Sequence, residues 1–139
     1  MRIFDASNAV IGRLASHVAK LALEGEVIRI VNAERAVISG NPKTLVKDYI
    51  ERIHRGNALA GPFFPKRPDR ILKRTIRGMI SYKKDLGRRS FKRIKVYIGL
   101  PDEFKNHKVE VVKHALLSER KIIKHITLKQ LCNQLGGNV

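Results

Sequence analysis

The chain has 139 residues and a formal net charge of +17 at pH 7, and 43% of its residues are hydrophobic. This length suits a single domain over residues 1–139, and the apolar content argues against a disordered chain. No stretch without a charged residue exceeds ten residues, whereas a membrane span needs about 20 largely apolar residues. The composition therefore predicts a folded, strongly basic protein with a polyanionic partner.

The start of the chain and its single cysteine bear on localisation. The first ten residues, MRIFDASNAV, contain no apolar run of signal-peptide length, so we expect no export. Cys132 cannot form an internal disulfide, which is typical of a reducing compartment. The sequence thus favours a cytoplasmic protein.

The first half of the chain alternates between predicted strands and helices. Arg2–Asp5 is a short first strand, and Ser7 or Asn8 is expected to cap a helix from about residue 9 to 23. Val27–Val31 has the apolar pattern of an inner strand, and Ala36–Ser39 is a second such run. Asn41 then caps a helix that begins with a proline.

The second half begins with a glycine- and proline-rich loop, residues 56–68. Asp69 is predicted to cap a helix over Arg70–Ser81, and Lys92–Ile98 alternates like a strand. Residues 102–121 give only a weak signal and are interpreted as a peripheral wrap. Thr127 and Gln130 form a capping box for a last helix, in which Cys132 is expected as a small buried residue. This alternation predicts an α/β fold with a mainly parallel sheet.

The positive charge is concentrated in one part of the sequence. Residues 1–51 have a net charge of +1, residues 52–95 of +13, and residues 96–139 of +3. A concentrated block is typical of a docking surface, whereas even scatter would indicate a solubility device. We call residues 52–95 the basic segment.

Helical spacing places several of these cations on one face of the predicted helix 70–81. Arg70, Lys73, Arg74 and Arg77 form a stripe, and apolar residues including Met79 lie on roughly the opposite side. Guanidinium groups are well matched to phosphate oxygens. The candidate nucleic-acid contacts are Arg52, Arg55, Lys66, Arg67, Arg70, Lys73, Arg74, Arg77, Lys83, Lys84, Arg88, Arg89, Lys92 and Arg93.

Other interpretations are weaker. A solvated helix face usually mixes both signs of charge, and a membrane-bound helix usually offers large apolar residues that this helix needs for its core. Phe63 and Phe64 either anchor their loop, which is the commoner use, or stack on unpaired bases.

Asp5 and Glu34 stand where α/β enzymes place catalytic groups, but no partner base or nucleophile is identifiable. Phosphate-loop glycines and metal-ligand spacing are absent from the sequence, so we expect neither a βα phosphate loop nor a metal.

Several segments resemble one known family. The run IRGMIS at 76–81, Gly87-Arg88 and the run IKVYIG at 94–99 are similar, with the same spacing, to the signature of large-subunit ribosomal protein family thirteen. DASNAVIGRLAS at 5–16 and VNAERAVISGN from Val31 resemble the opening and the second strand pair of that family. The tail resembles the shorter, archaeal-type form, and the hairpin-like insertion of bacterial members is absent.

This resemblance implies a three-layer α/β/α fold around a four-stranded parallel sheet. It also implies a structural component of the large ribosomal subunit that binds large-subunit rRNA early in assembly, beside neighbouring large-subunit proteins. It implies no catalysis, cofactor or small-molecule substrate. Carried over by position, the expected rRNA contacts are Arg74, Arg77, Lys83, Lys84, Arg88 and Arg89.

Overall fold

The computed structural model describes residues 1–119, 121 and 124–137. The strands are β1 (Arg2–Asp5), β2 (Ile28–Val31), β3 (Val37–Ser39), β4 (Ile94–Val96), β5 (Val109–Val111) and β6 (His125–Thr127). The α-helices are α1 (Ile11–Leu23), α2 (Pro42–His54), α3 (Pro68–Gly78), α4 (Asp85–Lys92) and α5 (Leu128–Gln134). Short 3₁₀ turns join several of these elements.

Four strands form the central sheet, in the order β4-β2-β1-β5, and every neighbouring pair is parallel. The register aligns Phe4 with Ile30 and Ile28 with Ile94. These apolar side chains are buried, as expected for a parallel sheet covered on its faces. The four-stranded parallel sheet is therefore confirmed.

Helices α1 and α3 cover one face of this sheet and build the main core with it. Leu14 and Val18 of α1, and Leu72 and Ile76 of α3, are all completely buried in the same cluster as the sheet residues. Each such side chain stabilises the fold by about 1.5 to 3 kcal/mol relative to an exposed one. The apolar side of α3 is thus fully used by the core.

The opposite face of the sheet carries a thinner layer. The chain between β4 and β5 includes the 3₁₀ turn Asp102–Phe104, and Phe104 packs in a second cluster with Ile3 and Val31. The Tyr97 and Phe104 rings meet edge to face, with centroids 5.3 Å apart. Helices, sheet and this turn are the three layers of an α/β fold, which confirms the predicted fold class.

Two strand predictions need correction. The run at 36–39 does form a strand, β3, but it pairs antiparallel with β6 in a separate sheet, with Ile38 opposite Ile126. Only a 3₁₀ turn, Ala33–Arg35, separates it from β2, which is too short for the crossover that a parallel neighbour requires. The region 102–121 is not only a peripheral wrap, since β5 lies within it and extends the central sheet beside β1.

Two predicted helix caps are wrong. Val10 occupies the N-cap of α1, so neither Ser7 nor Asn8 does, and Asn8 instead adopts a positive φ of 56°. Arg67 is the N-cap of α3, because Pro68 takes the first helical position, where its missing N–H costs nothing. Asp69 lies within the first turn. Helix α3 ends at Gly78 and not at Ser81, and helix α4 was not predicted.

Two other caps and the cysteine are confirmed. The Asn41 side chain accepts a hydrogen bond from the Lys43 N–H at 3.1 Å, and Thr127 and Gln130 form the predicted capping box at the start of α5. Cys132 is fully buried, and burial, with the nearby Asp69 charge, raises the pKa of its thiol to about 12. Cys132 is therefore a packing residue without thiolate chemistry near neutral pH.

Candidate nucleic-acid interface

The orientation of α3 places its cations on the outside of the molecule. Ile71, Leu72 and Ile76 are buried, whereas Arg70 and Arg74 are exposed on the other side. Lys73 and Arg77 are half-buried beside them. Met79, predicted to lie on the apolar side, is 44% exposed because it follows the end of the helix.

A groove separates α3 from the end of α2. A space of about 340 Å³ is lined by Arg52 of α2, by Arg55, Pro62 and Phe64 of the segment that follows α2, and by Arg74 of α3. Three guanidinium groups from two separate segments of the sequence therefore face one opening. We call it the α2–α3 groove.

A second groove lies on the other side of the cation stripe, toward α4. Its basic lining is Arg70, Lys73, Arg74 and Arg77, and Pro65 and Phe91 complete it around a volume of about 230 Å³. We call it the α3–α4 groove. Arg74 belongs to both grooves, so the stripe on α3 forms the ridge between them.

Aromatic rings support four of these cations. The Arg52 guanidinium lies 5.0 Å from the Tyr49 ring centroid and that of Arg74 lies 4.7 Å from Phe64. In the same way Lys73 lies 5.3 Å from Phe91, and Arg77 lies 5.0 Å from Tyr82. Cation–π contacts of this kind restrict long side chains, so less conformational entropy is lost when a ligand binds.

The sequence pattern does not predict these supporting rings. Only one of the pairs, Tyr49 with Arg52, has the spacing of three residues that a single helix brings together. The others join separate elements, such as Lys73 of α3 and Phe91 of α4. Burial raises the pKa of the Tyr49 phenol, so its ring stays neutral beneath Arg52.

The remaining candidates do not line the two grooves. Those that are exposed are Lys66, Arg67, Lys83, Lys84, Arg88, Arg89 and Lys92. Arg93 is half-buried and reaches the turn after α1, where its Nη1 lies 3.7 Å from the position a Cβ would take at Gly25. Arg93 is thus directed toward a different part of the surface from the α3 stripe.

Few carboxylates oppose this charge. Arg67 Nε lies 3.3 Å from Asp69 Oδ1, and Arg88 Nη1 lies 3.9 Å from Asp85 Oδ1. Within the part of the chain that the structure describes, the other thirteen lysines and arginines of the basic segment have no carboxylate within 4.0 Å. The surface carries an excess of positive charge that a phosphate backbone would neutralise.

Two of the four glycines of the basic segment, Gly78 and Gly87, differ in their surroundings. A Cβ on Gly87 would lie 2.1 Å from the Ser81 carbonyl oxygen, so α4 approaches the preceding turn by way of this glycine. A Cβ on Gly78 would have no neighbour within 4 Å. Gly87 therefore sets the position of α4 beside α3.

Phe63 and Phe64 have different environments. Phe64 packs against the core, with its ring edge to face with Tyr49 at 5.5 Å, and so anchors the loop. Phe63 is 72% exposed. The anchoring interpretation holds for Phe64 alone.

The two carboxylates at the strand ends have local partners. Asp5 accepts hydrogen bonds from Asn32 Nδ2 at 3.0 Å and from the Ser7 N–H at 2.9 Å. Burial alone would raise the pKa of Asp5, but these hydrogen bonds hold it below its usual value. Glu34 accepts a hydrogen bond from the Gly99 N–H at 2.9 Å. Both groups bind the ends of strands together.

Among residues 1–119, 121 and 124–137, no three His, Cys, Asp or Glu side chains are grouped so that they could hold a metal ion. None of the helices described there has the length and apolar character to cross a membrane.

Comparison with known proteins identifies relatives over nearly the whole chain. The large ribosomal subunit protein uL13 of Methanosarcina barkeri is 48% identical over 138 residues, covering 99% of both chains. The protein of the same name from Methanococcoides burtonii is 45% identical over 137 residues, again covering 99% of both. That from Methanocaldococcus jannaschii is 48% identical over 138 residues, covering 93% of this chain and 99% of its own.

The family description "Ribosomal protein L13" matches residues 1–103. This match includes the signature runs and the opening segment on which the resemblance was based, and the relatives agree with an archaeal-type short form. Both sets of names are those of ribosomal proteins and not of enzymes, as expected. On the evidence of its motifs, its fold and these relatives, the chain belongs to the ribosomal protein L13 family.

Proposed function

We propose that the protein is a structural component of the large ribosomal subunit in the cytoplasm. It binds large-subunit rRNA through the basic segment, contacts neighbouring large-subunit proteins and supports an early step of subunit assembly. The observation that carries the rRNA-binding proposal is the net charge of +13 in residues 52–95, where only Asp69 and Asp85 oppose fifteen cations. Family membership favours a ribosomal polyanion over DNA or lipid.

The mechanism that we propose is an electrostatic clamp. The scaffold outside the basic segment has a small net charge. Its helix α1 contacts both α3 and α4, and Tyr49 of α2 is buried in the same core cluster. Phosphates in the α2–α3 groove and in the α3–α4 groove would be neutralised from both sides of Arg74. Clustered cations let RNA segments approach one another, because they replace the mutual repulsion of phosphates by attraction.

Two observations support rRNA contact at the grooves. The cations that line them come from α3 and from the end of α2 with its C-cap, and all six are candidate residues, namely Arg52, Arg55, Arg70, Lys73, Arg74 and Arg77. The aromatic supports reduce the entropy that these side chains lose on binding. Phosphate contacts of this kind position a protein on RNA without reading its sequence.

Sedimentation of the native protein tests the ribosomal assignment. In low salt we expect the protein to sediment with large subunits, and to leave them only at high salt, because phosphate contacts are weakened by counterions. A protein that sediments freely at low salt, or that is recovered with DNA, would contradict the assignment.

Replacement of four arginines tests the clamp. We expect the variant Arg74→Ala, Arg77→Ala, Arg88→Ala and Arg89→Ala to bind large-subunit rRNA more weakly. The slope of log binding constant against log salt should fall by about 3, at roughly 0.7 to 0.9 counterions per lost phosphate contact. The measurement is filter binding across a salt series.

A matched variant controls for net charge. Lys20, Lys43, Lys108 and Lys129 are exposed cations outside the basic segment, and their replacement by alanine removes the same number of charges. We expect the salt slope of this control to stay close to that of the native protein. Equal slopes for the two variants would refute a clamp located in the basic segment.

A further inference from the structure

The loop between α2 and α3 carries an ordered tip that the phosphate clamp does not use. Two backbone hydrogen bonds close it, from the Asn57 N–H to the Gly61 carbonyl at 3.0 Å and from the Gly61 N–H to the Asn57 carbonyl at 2.8 Å. The Asn57 side chain also accepts a hydrogen bond from the Leu59 N–H at 3.1 Å. The tip is therefore structured by its own hydrogen bonds.

Phe63 stands just after this tip and its position is fixed from both sides. Its ring lies against Gly61, where a Cβ would come within 3.2 Å of two ring carbons. On its other side, Phe64 is anchored against Tyr49 and lies beneath the Arg74 guanidinium. Phe63 is nevertheless 72% exposed. An exposed ring held in a defined place is suited to contact with a ligand.

The surroundings of Phe63 indicate the chemistry of that ligand. Its neighbours along the chain, Pro62 and Phe64, line the α2–α3 groove together with three guanidinium groups, those of Arg52, Arg55 and Arg74. Lys66 and Arg67 follow within four residues. A partner that meets an aromatic face and several cations at once must combine a flat apolar surface with negative charge. An unpaired nucleotide has both, in its base and its phosphate.

We propose that Phe63 stacks on an unpaired base of the rRNA while Arg52, Arg55 and Arg74 hold the adjoining phosphates. This inference rests on the proposed function. The α2–α3 groove thus takes single-stranded RNA, or a nucleotide displaced from a helix. A paired helix would hide its base faces and would leave Phe63 without a partner. The cation stripe of the α3–α4 groove needs no such feature, because phosphates are accessible on any RNA.

Substitution at Phe63 tests this assignment with three RNA probes: protein-free large-subunit rRNA, oligoadenylate and a fully paired RNA duplex. We expect Phe63→Ala to weaken binding to rRNA and to oligoadenylate by about 5- to 100-fold, the usual range for one lost base stack. Binding to the duplex should be unchanged. The salt slope should also be unchanged with every probe, since no phosphate contact is lost.

Two further substitutions separate stacking from simple apolar contact. Phe63→Tyr should bind like the native protein, because it keeps the ring, whereas Phe63→Leu should bind as weakly as Phe63→Ala. Leu59→Ala is the matched control, since Leu59 is 92% exposed on the same loop and has no ring. Its affinity should remain native.

Ultraviolet crosslinking gives an independent measurement on the native protein. Irradiation of its complex with rRNA should attach a nucleotide to the tryptic peptide 56–66, at Phe63. Native affinity of Phe63→Ala, or of Phe63→Leu, for protein-free rRNA would overturn the stacking proposal. Failure of the native protein to bind rRNA would contradict the proposed function itself. A native protein that binds rRNA, together with Phe63 substitutions that leave its affinity unchanged, would contradict only the stacking proposal.

Discussion

The Asp5 carboxylate shows how one side chain joins two strands of the sheet. Asp5 ends β1, and its partner Asn32 follows β2 with a positive φ of 55°. Asparagine tolerates this conformation better than most residues. The hydrogen bond therefore fixes the strand ends, and it explains an acidic residue that the sequence analysis had considered as a catalytic candidate.

Asp5→Asn should destabilise the protein in a pH-dependent way. The pKa of Asp5 is lowered in the folded state, so its charged form contributes stability above its unfolded pKa of about 3.9 and loses it as pH falls through the folded value. We expect a loss of about 1 to 2 kcal/mol in the free energy of unfolding near pH 7. The loss should shrink below about pH 4. Urea denaturation at several pH values measures it.

The control for this substitution is Asp48→Asn, since Asp48 is an exposed residue of α2. Its free energy of unfolding should change by less than about 0.5 kcal/mol at any pH. A loss for Asp5→Asn that is constant between about pH 3 and pH 7 would show that the charge of Asp5 is not what its partners stabilise.

At the scale of single residues, the periodicity of the sequence predicts which side chains of a helix are exposed and which are buried. The alternation of cations and apolar residues in α3 predicted that Arg74 is exposed and Leu72 buried, as observed. It did not predict the contact of Lys73 with Phe91 or of Arg74 with Phe64, because these pairs depend on how separate elements pack. Tertiary contacts of this kind leave no local pattern in the sequence.

At the scale of helices and strands, the packing of α4 beside α3 depends on one glycine, Gly87. We expect Gly87→Ala to lower the free energy of unfolding by about 1 to 3 kcal/mol, because its Cβ would meet the Ser81 carbonyl oxygen at 2.1 Å and neither backbone can yield easily. Chemical denaturation measures the change. The shift of α4 would also displace Arg88 and Arg89, so rRNA affinity should fall in parallel.

Gly78→Ala is the matched control within the same segment. Gly78 is an exposed helical residue with open space around its Cα, so alanine should leave the stability unchanged or raise it by up to about 1 kcal/mol. An equal loss of stability in both variants would show that close packing at Gly87 does not govern the result.

Several elements were beyond prediction from the sequence for identifiable reasons. Helix α4 has eight residues, and its largest aliphatic side chain, Leu86, is 63% exposed, so no apolar stripe marks it. Strand β5 has only three residues, with Glu110 at its centre. Glu110 is held there by Arg2, whose hydrogen bond lowers the pKa of the carboxyl. The longer helix α1 was predicted to within two residues at each end, and the cap and first residue of α2 were predicted correctly.

In the molecule as a whole, the concentration of positive charge in one segment favours RNA binding but destabilises the free protein. The basic segment holds thirteen of the seventeen net charges, and its cations repel one another in the free protein. The fold was largely predictable because its strands and helices alternate in sequence. The grooves were not, since they arise where α2, the loop, α3 and α4 converge.

Added salt should stabilise the free protein. We expect Tm to rise by about 5 °C between roughly 0.05 M and 0.5 M sodium chloride, because screening relieves the repulsion within the basic segment. The variant Arg74→Ala, Arg77→Ala, Arg88→Ala and Arg89→Ala should melt at a higher temperature than the native protein at low salt. Its Tm should also respond less to salt. Differential scanning calorimetry measures both quantities, and a Tm that is insensitive to salt in the native protein would refute the repulsion.

The pairing of β1 with β5 has a consequence for the order of events during translation. Ile3 is aligned with Val109, so one edge of β1 stays open until more than one hundred further residues have been made. At typical synthesis rates of about 5 to 20 residues per second, that interval lasts roughly 5 to 20 s. The basic segment precedes β5 in the chain, so it leaves the ribosome before β5 does. A nascent chain therefore offers its cations to RNA before the sheet that will support them has closed.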